Sequence, residues 1–339
     1  MQYRVLGKTG LSISEFGFGC IPIIRLDDAA AIEVLRHAFD QGINFYDTAN
    51  AYRDSEYKIG LAFRGLRDKI VLATKTGRRD AIGVAEHLEN SLNMLQTDYI
   101  DLYQLHQVSK DEDWEAILAP GGALEAVSKA QQQGKIRHLG ITSHSYPMAI
   151  KLIKTGLFST VMFPFNFIED AAKDEMLSLT KQMNIGFLAM KPFGGGAIDN
   201  ATLAFKFLRQ YQEAIAIPGF DSIDYLDEVL SIYAQPNVVS AADLAGMAAY
   251  RQELGLQFCR RCEYCQPCPH GVKITPAMGY PIVVKRMSPA VAVSFSGPVM
   301  ETVPQCIECG TCITRCPYDL PIPEVLKRNY ALYEQHKQG

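Results

Sequence analysis

The sequence predicts an α/β protein: a (β/α)8 TIM barrel followed by a C-terminal ferredoxin-like iron–sulfur domain. Three observations carry this expectation. Short apolar runs rich in Val, Ile and Phe alternate with longer amphipathic stretches through residues 1–235, which is the pattern of repeated β–α units. The alternation stops after Gln235-Pro236-Asn237. Eight of the nine cysteines then fall in two tight runs near the C-terminus. The expected domains are 1–235 and 236–339.

Eight strand candidates follow in order: Ser14 to Phe18, Asn44 to Asp47, Ile70 to Thr74, Ile100 to His106, Arg137 to Thr142, Val161 to Phe165, Gly186 to Met190 and Ala214 to Ile217. Helical patterns follow each of them, such as Asp28 to Gln41, Val84 to Leu95, Ala123 to Gln132, Ala171 to Gln182 and Ser222 to Tyr233. Eight such units in about 235 residues match the size of a closed barrel. An open doubly wound sheet is the alternative, but Gly17-x-Gly19 alone is a poor match to the glycine fingerprint expected at its first turn. The opening stretch from Tyr3 to Leu11 reads as a small hairpin that caps the bottom of the barrel.

Chemistry on a barrel gathers at the C-terminal ends of its strands. Asp47 ends the second strand, Tyr52 follows in its loop, Lys75 ends the third and His106 ends the fourth. A tyrosine phenol with an ordinary pKa of about 10 needs help to give up a proton near neutrality. In one cleft, the Lys75 ammonium would stabilise the phenolate, Asp47 would keep the lysine charged and aimed, and His106 would hydrogen-bond a substrate oxygen. That set suits carbonyl reduction. Each member has a plainer role available, Asp47 as a turn or cap residue and His106 as a structural imidazole. Trp114 is expected in the loop after His106, either lining a substrate pocket or simply packing. The glycine run Gly194-Gly195-Gly196 after the seventh strand fits a phosphate site or a flexible turn. Ile217-Pro218-Gly219, with the helix that starts at Ser222, offers a helix N-terminus to an anion.

The tail opens with a helical stretch, Ala241 to Gln257, leading into Cys259-x2-Cys262-x2-Cys265-x2-Cys268-Pro. After an insert, Pro276 to Pro304, expected to pack against the barrel, comes Cys306-x2-Cys309-x2-Cys312-x3-Cys316-Pro. The second run has the spacing of bacterial two-cluster ferredoxins, and the first is one residue shorter before its last cysteine. In those proteins the fourth cysteine of each run crosses over. Cys259, Cys262, Cys265 and Cys316 should therefore hold one 4Fe–4S cluster, and Cys306, Cys309, Cys312 and Cys268 the other. Zinc prefers two ligand pairs set further apart, and a disulfide framework calls for a secretory leader that Met1 to Ala31 does not resemble. Cys20 stands alone and reads as an ordinary thiol. A helix from Glu324 to His336 closes the chain.

At 339 residues and 48% hydrophobic composition the chain can bury a large core. A formal charge of −4 without charge blocks argues against a nucleic-acid surface, and no segment has the ~20 apolar residues of a membrane span. Reduced thiolates point to a cytoplasmic setting.

Several motifs together resemble the aldo-keto reductase family: Ile43 to Ala49 (Ile-Asn-Phe-Tyr-Asp-Thr-Ala), Tyr52, Ser55-Glu56, Ala73-Thr74-Lys75, Asp98-Tyr99-Ile100-Asp101-Leu102, His106, and Gly134 to Ser143. The cysteine-rich tail, with Ser143-His144 and Lys191-Pro192-Phe193 before the glycine run, resembles a branch carrying a ferredoxin-like extension. The resemblance implies hydride transfer between a nicotinamide and a small carbonyl or alcohol, with Asp47, Tyr52, Lys75 and His106 catalytic and Tyr52 as the acid. It implies a dinucleotide across the mouth, touching Ser143, His144, Met162, Met190, Lys191, Pro192, Gly194, Gly196, Ile217, Pro218, Gly219 and Asp221. His144 and Met162 stand where members often have Asn and Gln, and Met190 where an aromatic ring is common. Where NADP-preferring members have a basic residue after Pro-Gly, this chain has Phe220-Asp221. A carboxylate there would repel a 2′-phosphate and could accept from a free ribose hydroxyl, so NAD(H) is favoured over NADP(H).

A nicotinamide moves two electrons and a cubane cluster one, so coupling them ordinarily calls for a flavin; one could occupy the barrel's phosphate site, although no flavin motif is identifiable. Three roles follow. The barrel reduces carbonyls while the clusters wire it to a ferredoxin-like carrier or brace the tail; or it is a redox sensor or regulatory scaffold; or it is an electron-transfer module whose barrel holds a flavin or a partner.

Overall fold

The computed structural model describes residues 1–255, 257–261, 263–286, 289–316 and 318–338. The chain divides into two compact units. The first comprises Met1–Pro192 and Ala201–Val239, the second Phe193–Asn200 and Ser240–Gly339.

The first unit is the barrel. A hairpin, β1 (Tyr3–Val5) with β2 (Ser12–Ser14), precedes eight parallel strands: β3 (Phe18–Gly19), β4 (Phe45–Asp47), β5 (Val71–Thr76), β6 (Ile100–Leu105), β7 (Ile136–Thr142), β8 (Thr160–Pro164), β9 (Gly186–Met190) and β10 (Ala214–Ile217). They pair in sequence order, and the bridges Phe16–Ala216 and Gly19–Gly219 join the last strand to the first. The central strands are buried along nearly their whole length, as parallel strands covered by helices require.

The first strand differs most from expectation. Ser12 to Ser14 is taken by the hairpin, so the barrel strand shrinks to Phe18–Gly19 with Phe16 bridging alone. Gly17 and Gly19 serve this closure. Their amides donate to the Ala216 and Pro218 carbonyls at 2.9 and 2.7 Å, and a Cβ on Gly17 would lie 2.6 Å from the Phe45 ring. The hairpin does cap the bottom: Leu6 packs against Gly186, the first residue of β9, and the Lys8 amide donates to the Asn184 carbonyl at 2.6 Å. Leu6 and Ile13 join Phe45, Ala73, Leu102, Met162, Leu188, Ile215 and Ile217 in one apolar cluster.

Helix starts follow side-chain capping of free backbone N–H groups. Asp27 accepts from the Ala30 amide, Asp80 from Gly83, Ser145 from Met148 and Ser222 from Tyr225. The stretch expected as one helix from Ala171 is a 3-10 turn, Ala171–Lys173, and a separate helix, Glu175–Gln182. Trp114 lies in the helix Asp111–Leu118, buried with its ring 6.0 Å from that of Phe158, so it packs instead of occupying a loop.

The second unit is helical: Ala241–Gly255, Ile274–Met278, Tyr280–Arg286, Pro289–Met300 and Ile322–Gln338. Part of the insert between the cysteine runs packs within this unit. Tyr280, Ala292 and Met300 are buried with Val325, Leu326 and Tyr333 of the final helix, and the Tyr280 and Tyr333 rings meet nearly edge-on at 5.6 Å. The buried Asn329 amide donates to the Ala277 and Met278 carbonyls at 3.1 and 3.2 Å, satisfying a helix end that would otherwise be orphaned. Among the described residues no helix is long and apolar enough to cross a membrane.

Candidate active site and cluster-binding region

Three adjacent strands bring the four polar residues together. Asp47 is the last residue of β4, Lys75 the fifth of β5, and His106 directly follows β6. Tyr52 lies in the loop between Asp47 and the helix Ser55–Ala62. Asp47 and Lys75 are buried, at 4% and 1% exposure. The Lys75 ammonium donates to Asp47 Oδ1 and, at 2.7 Å, to the Thr48 carbonyl. It sits 5.2 Å from the centre of the Tyr52 ring. That ring is half-buried and meets His106 edge-on, centroids 5.9 Å apart at 79°.

Electrostatics sort the roles. Burial pushes the Asp47 carboxyl up, while Lys75 and a hydrogen bond from Gln104 pull it back. Burial also works against the Lys75 ammonium, but Asp47 and Tyr52 outweigh it and hold the lysine above its ordinary pKa. Burial, with the nearby charges of Lys75 and Arg79, pushes His106 down to about 3. At neutral pH His106 is a neutral imidazole that can hydrogen-bond but carries no proton to give as an acid. Arg79 fixes its backbone, donating to the His106 carbonyl at 2.9 Å while pairing with Asp113 at 3.1 Å.

Gln104 was not singled out by sequence reasoning. Its side chain is fully buried and donates to Asp47 Oδ2 at 2.8 Å. The available signal was a polar residue two positions before a strand-end histidine. The side-chain Nδ2 of Asn50, between Asp47 and Tyr52, is buried without a hydrogen-bond partner among the described residues. Cys20 is a fully buried thiol whose amide donates to the Asp47 carbonyl at 2.8 Å; burial pushes its pKa well up.

Of the expected cofactor contacts in the first unit, all but Met162 lie past or at the strand ends. Ser143 follows β7, where its hydroxyl accepts from the Ser145 amide at 3.1 Å, and the His144 amide donates to Ser109 Oγ at 3.0 Å. Met162 is 3% exposed within the barrel's apolar cluster, its carbonyl accepting from the Ser143 amide. Met190 ends β9, and Lys191 follows with a left-handed φ of 58° before Pro192. Ile217 ends β10, and Pro218-Gly219 follow; a Cβ on Gly219 would lie 2.6 Å from the Pro22 ring.

Asp221 is not the bare carboxylate its sequence context suggests, because Arg25 pairs with it at 2.6 Å. Arg25 ends a 3-10 turn, Pro22–Arg25. The neighbouring loop is tied by the buried Lys58, which donates to the Leu26 carbonyl at 2.7 Å and pairs with Asp54 at 2.8 Å. Gly194 and Gly196 fall in the second unit. Gly194, Gly195 and Gly196 have φ of 57°, 77° and 100°, a left-handed run that side chains would strain. Asp199, just beyond, accepts from the Tyr250 hydroxyl.

The cysteines of the second unit ring two cavities. One is lined by Cys265, Cys268, Cys306, Cys309 and Cys312. The other is lined by Cys259, Cys265 and Cys316, so Cys265 borders both. Cys262 lies outside the described residues. Cys268 of the first run thus lines the same cavity as Cys306, Cys309 and Cys312, and Cys316 of the second lines the same cavity as Cys259, the neighbourhoods that a crossed pattern requires. Left-handed residues between the cysteines, Arg261, Glu263, Glu308 and Gly310, coil the chain tightly. Arg315 donates to the Pro267 carbonyl at 3.2 Å, linking the runs.

The model of the aldo/keto reductase family matches residues 16–204, and that of the 4Fe-4S dicluster domain matches residues 258–320. The chain is similar to the uncharacterized oxidoreductase YqkF of Bacillus subtilis, 32% identical over 66% of this chain and 74% of that protein. It is also similar to the aldo-keto reductase YhdN of the same organism, 31% identical over 68% of this chain and 74% of that protein. Among solved structures, the holo form of aldo-keto reductase AKR11C1 from Bacillus halodurans shares the fold, with a TM-score of 0.63 and 24% identity over 75% of this chain and 96% of that one.

Proposed function

The chain belongs to the aldo/keto reductase family and carries a C-terminal 4Fe-4S dicluster domain, and from that premise we propose that it is a nicotinamide-dependent carbonyl reductase in which Tyr52 is the proton donor. One observation carries the reading. A buried Asp47–Lys75 ion pair lies beside the ring of Tyr52, which meets a neutral His106, at the C-terminal ends of adjacent strands.

A nicotinamide, when bound, supplies the hydride. Ser143, Met190, Ile217 and Gly219 would hold it at the strand ends, where hydroxyl and backbone groups suit its amide and phosphates. The neutral imidazole of His106 donates to the substrate carbonyl oxygen and orients it. Tyr52 then passes its hydroxyl proton to that oxygen as it becomes an alkoxide. Two N–H groups of Lys75 are committed, to Asp47 and Thr48; the third stabilises the phenolate Tyr52 leaves. In the reverse direction the same phenolate takes the proton from an alcohol.

Each 4Fe–4S cluster would be held by the crossed set: Cys259, Cys262, Cys265 and Cys316 for one, and Cys268, Cys306, Cys309 and Cys312 for the other. Held there, the clusters would supply single-electron chemistry toward a ferredoxin-like carrier, or would brace the second unit. Arg25 pairs with Asp221 and offsets its repulsion of a 2′-phosphate, so the proposed preference for NAD(H) rests on the carboxylate as an acceptor for a free ribose hydroxyl. The test of the whole reading is Tyr52→Phe in the cluster-loaded protein. Carbonyl reduction should fall by roughly 10²- to 10⁴-fold with nicotinamide binding kept. Full activity would overturn it and favour a regulatory or purely electron-transferring barrel.

A further inference from the structure

We infer that Gln104 is a positioning residue for this chemistry, acting on Tyr52 through Asp47 and Lys75; the inference rests on the reading in which Tyr52 is the acid. Asp47 has two carboxylate oxygens, and each has a different donor. Oδ1 takes the Lys75 ammonium and Oδ2 takes the Gln104 amide at 2.8 Å. The plane of the carboxylate is therefore fixed from both sides, and with it the direction from which Lys75 approaches the Tyr52 ring.

The sheet register explains how a residue 57 positions from Asp47 reaches it. Gln104 pairs with Lys75 on one side and Gly140 on the other. Gly140 supplies the room: a Cβ there would lie 2.9 Å from Gln104 Cγ and 2.4 Å from Thr160 Oγ1. The amide orientation follows from chemistry, because only the nitrogen can donate to a carboxylate. The amide oxygen is left buried with no hydrogen-bond partner among the described residues, so the bond to Asp47 is what accounts for a glutamine inside an apolar barrel. A leucine would fill the same space without leaving an unmet acceptor. A neutral donor is the right chemical choice, since it holds the carboxylate ionised for Lys75 without competing for it as a second cation would.

The experiment uses the cluster-loaded protein, purified without oxygen, with NADH or NADPH and 4-nitrobenzaldehyde. Gln104→Leu should lower kcat by roughly 10- to 100-fold, the worth of a hydrogen bond to a charged group, with the KM for the nicotinamide unchanged. Gln104→Glu is nearly isosteric and serves where the leucine variant fails to fold. Its new carboxyl can donate to Asp47 only while protonated, so its kcat should recover as pH falls and drop steeply as pH rises. A wild-type kcat and pH profile in either folded variant overturns the inference. Tyr52→Phe measured alongside separates the failures. If it is inactive while the Gln104 variants are normal, only the inference falls; if it is fully active, the Tyr52 reading and the inference fall together.

Discussion

Replacing Lys75 with Met tests the ion pair on which the site is built. The substitution removes the ammonium but keeps most of the chain volume. Asp47, 4% exposed, is then left with Gln104 as its remaining side-chain donor. Breaking one partner of a buried pair costs about 3–5 kcal/mol, which for a domain of this size corresponds to a fall in Tm of roughly 6–20 °C. The cost has a pH signature. Burial already pushes the Asp47 carboxyl above its ordinary value, and without Lys75 it moves further up. The unfolded chain releases that proton near pH 3.9, whereas the folded variant keeps it to higher pH. Folding therefore binds a proton in that window, so stability falls as pH rises through it and then levels off. The loss relative to wild type should be smaller at pH 5 than at pH 8. Thermal unfolding followed by circular dichroism, without oxygen, measures both. Asp47→Asn combined with Lys75→Met removes the stranded carboxyl, and the double variant should be more stable than Lys75→Met alone. A destabilisation under about 1 kcal/mol, or equal losses at the two pH values, would refute the argument.

Two further predictions concern the ligand sites. Cys316→Ala should remove about half the iron, because it empties one crossed cluster site; adding Cys259→Ala should remove no more, while adding Cys306→Ala should empty both, and iron and sulfide analysis with EPR checks the pattern. Asp221→Arg should raise kcat/KM for NADPH relative to NADH, since it replaces a neutralised pair with two cations facing a 2′-phosphate; an unchanged ratio would show that this corner does not select the cofactor.

Some motifs that mark the family in sequence have a structural role away from the mouth. Asp101, the second residue of β6, accepts from Arg67 at 2.6 Å, Arg137 at 2.7 Å and the Leu72 amide at 3.0 Å. Both guanidinium groups lie 4.0 Å from the Tyr99 ring. This buried carboxylate locks three neighbouring strands near their N-terminal ends, the end of such barrels associated with stability.

The repeating architecture and the identity of the main polar groups are legible in the amino-acid order alone. Hydrophobic periodicity is local, so β9, β10 and the helix Ala123–Gln132 could be bounded to the residue. The cysteine spacing carried the iron–sulfur reading in the same way. Strand ends on a barrel share one face, which let Asp47, Tyr52, Lys75 and His106 be grouped before any distance was known. The partnerships between side chains emerge only from the folded chain. Gln104 meets Asp47 because the register sets it between Lys75 and Gly140, and Arg25 neutralises Asp221 from 196 positions away. Periodicity tells which face a side chain occupies, but register and barrel closure choose its neighbour. The first strand could not be placed from sequence for the same reason: Ser14, expected to open it, suits either a barrel strand or a hairpin, and pairing with Tyr3 settles it.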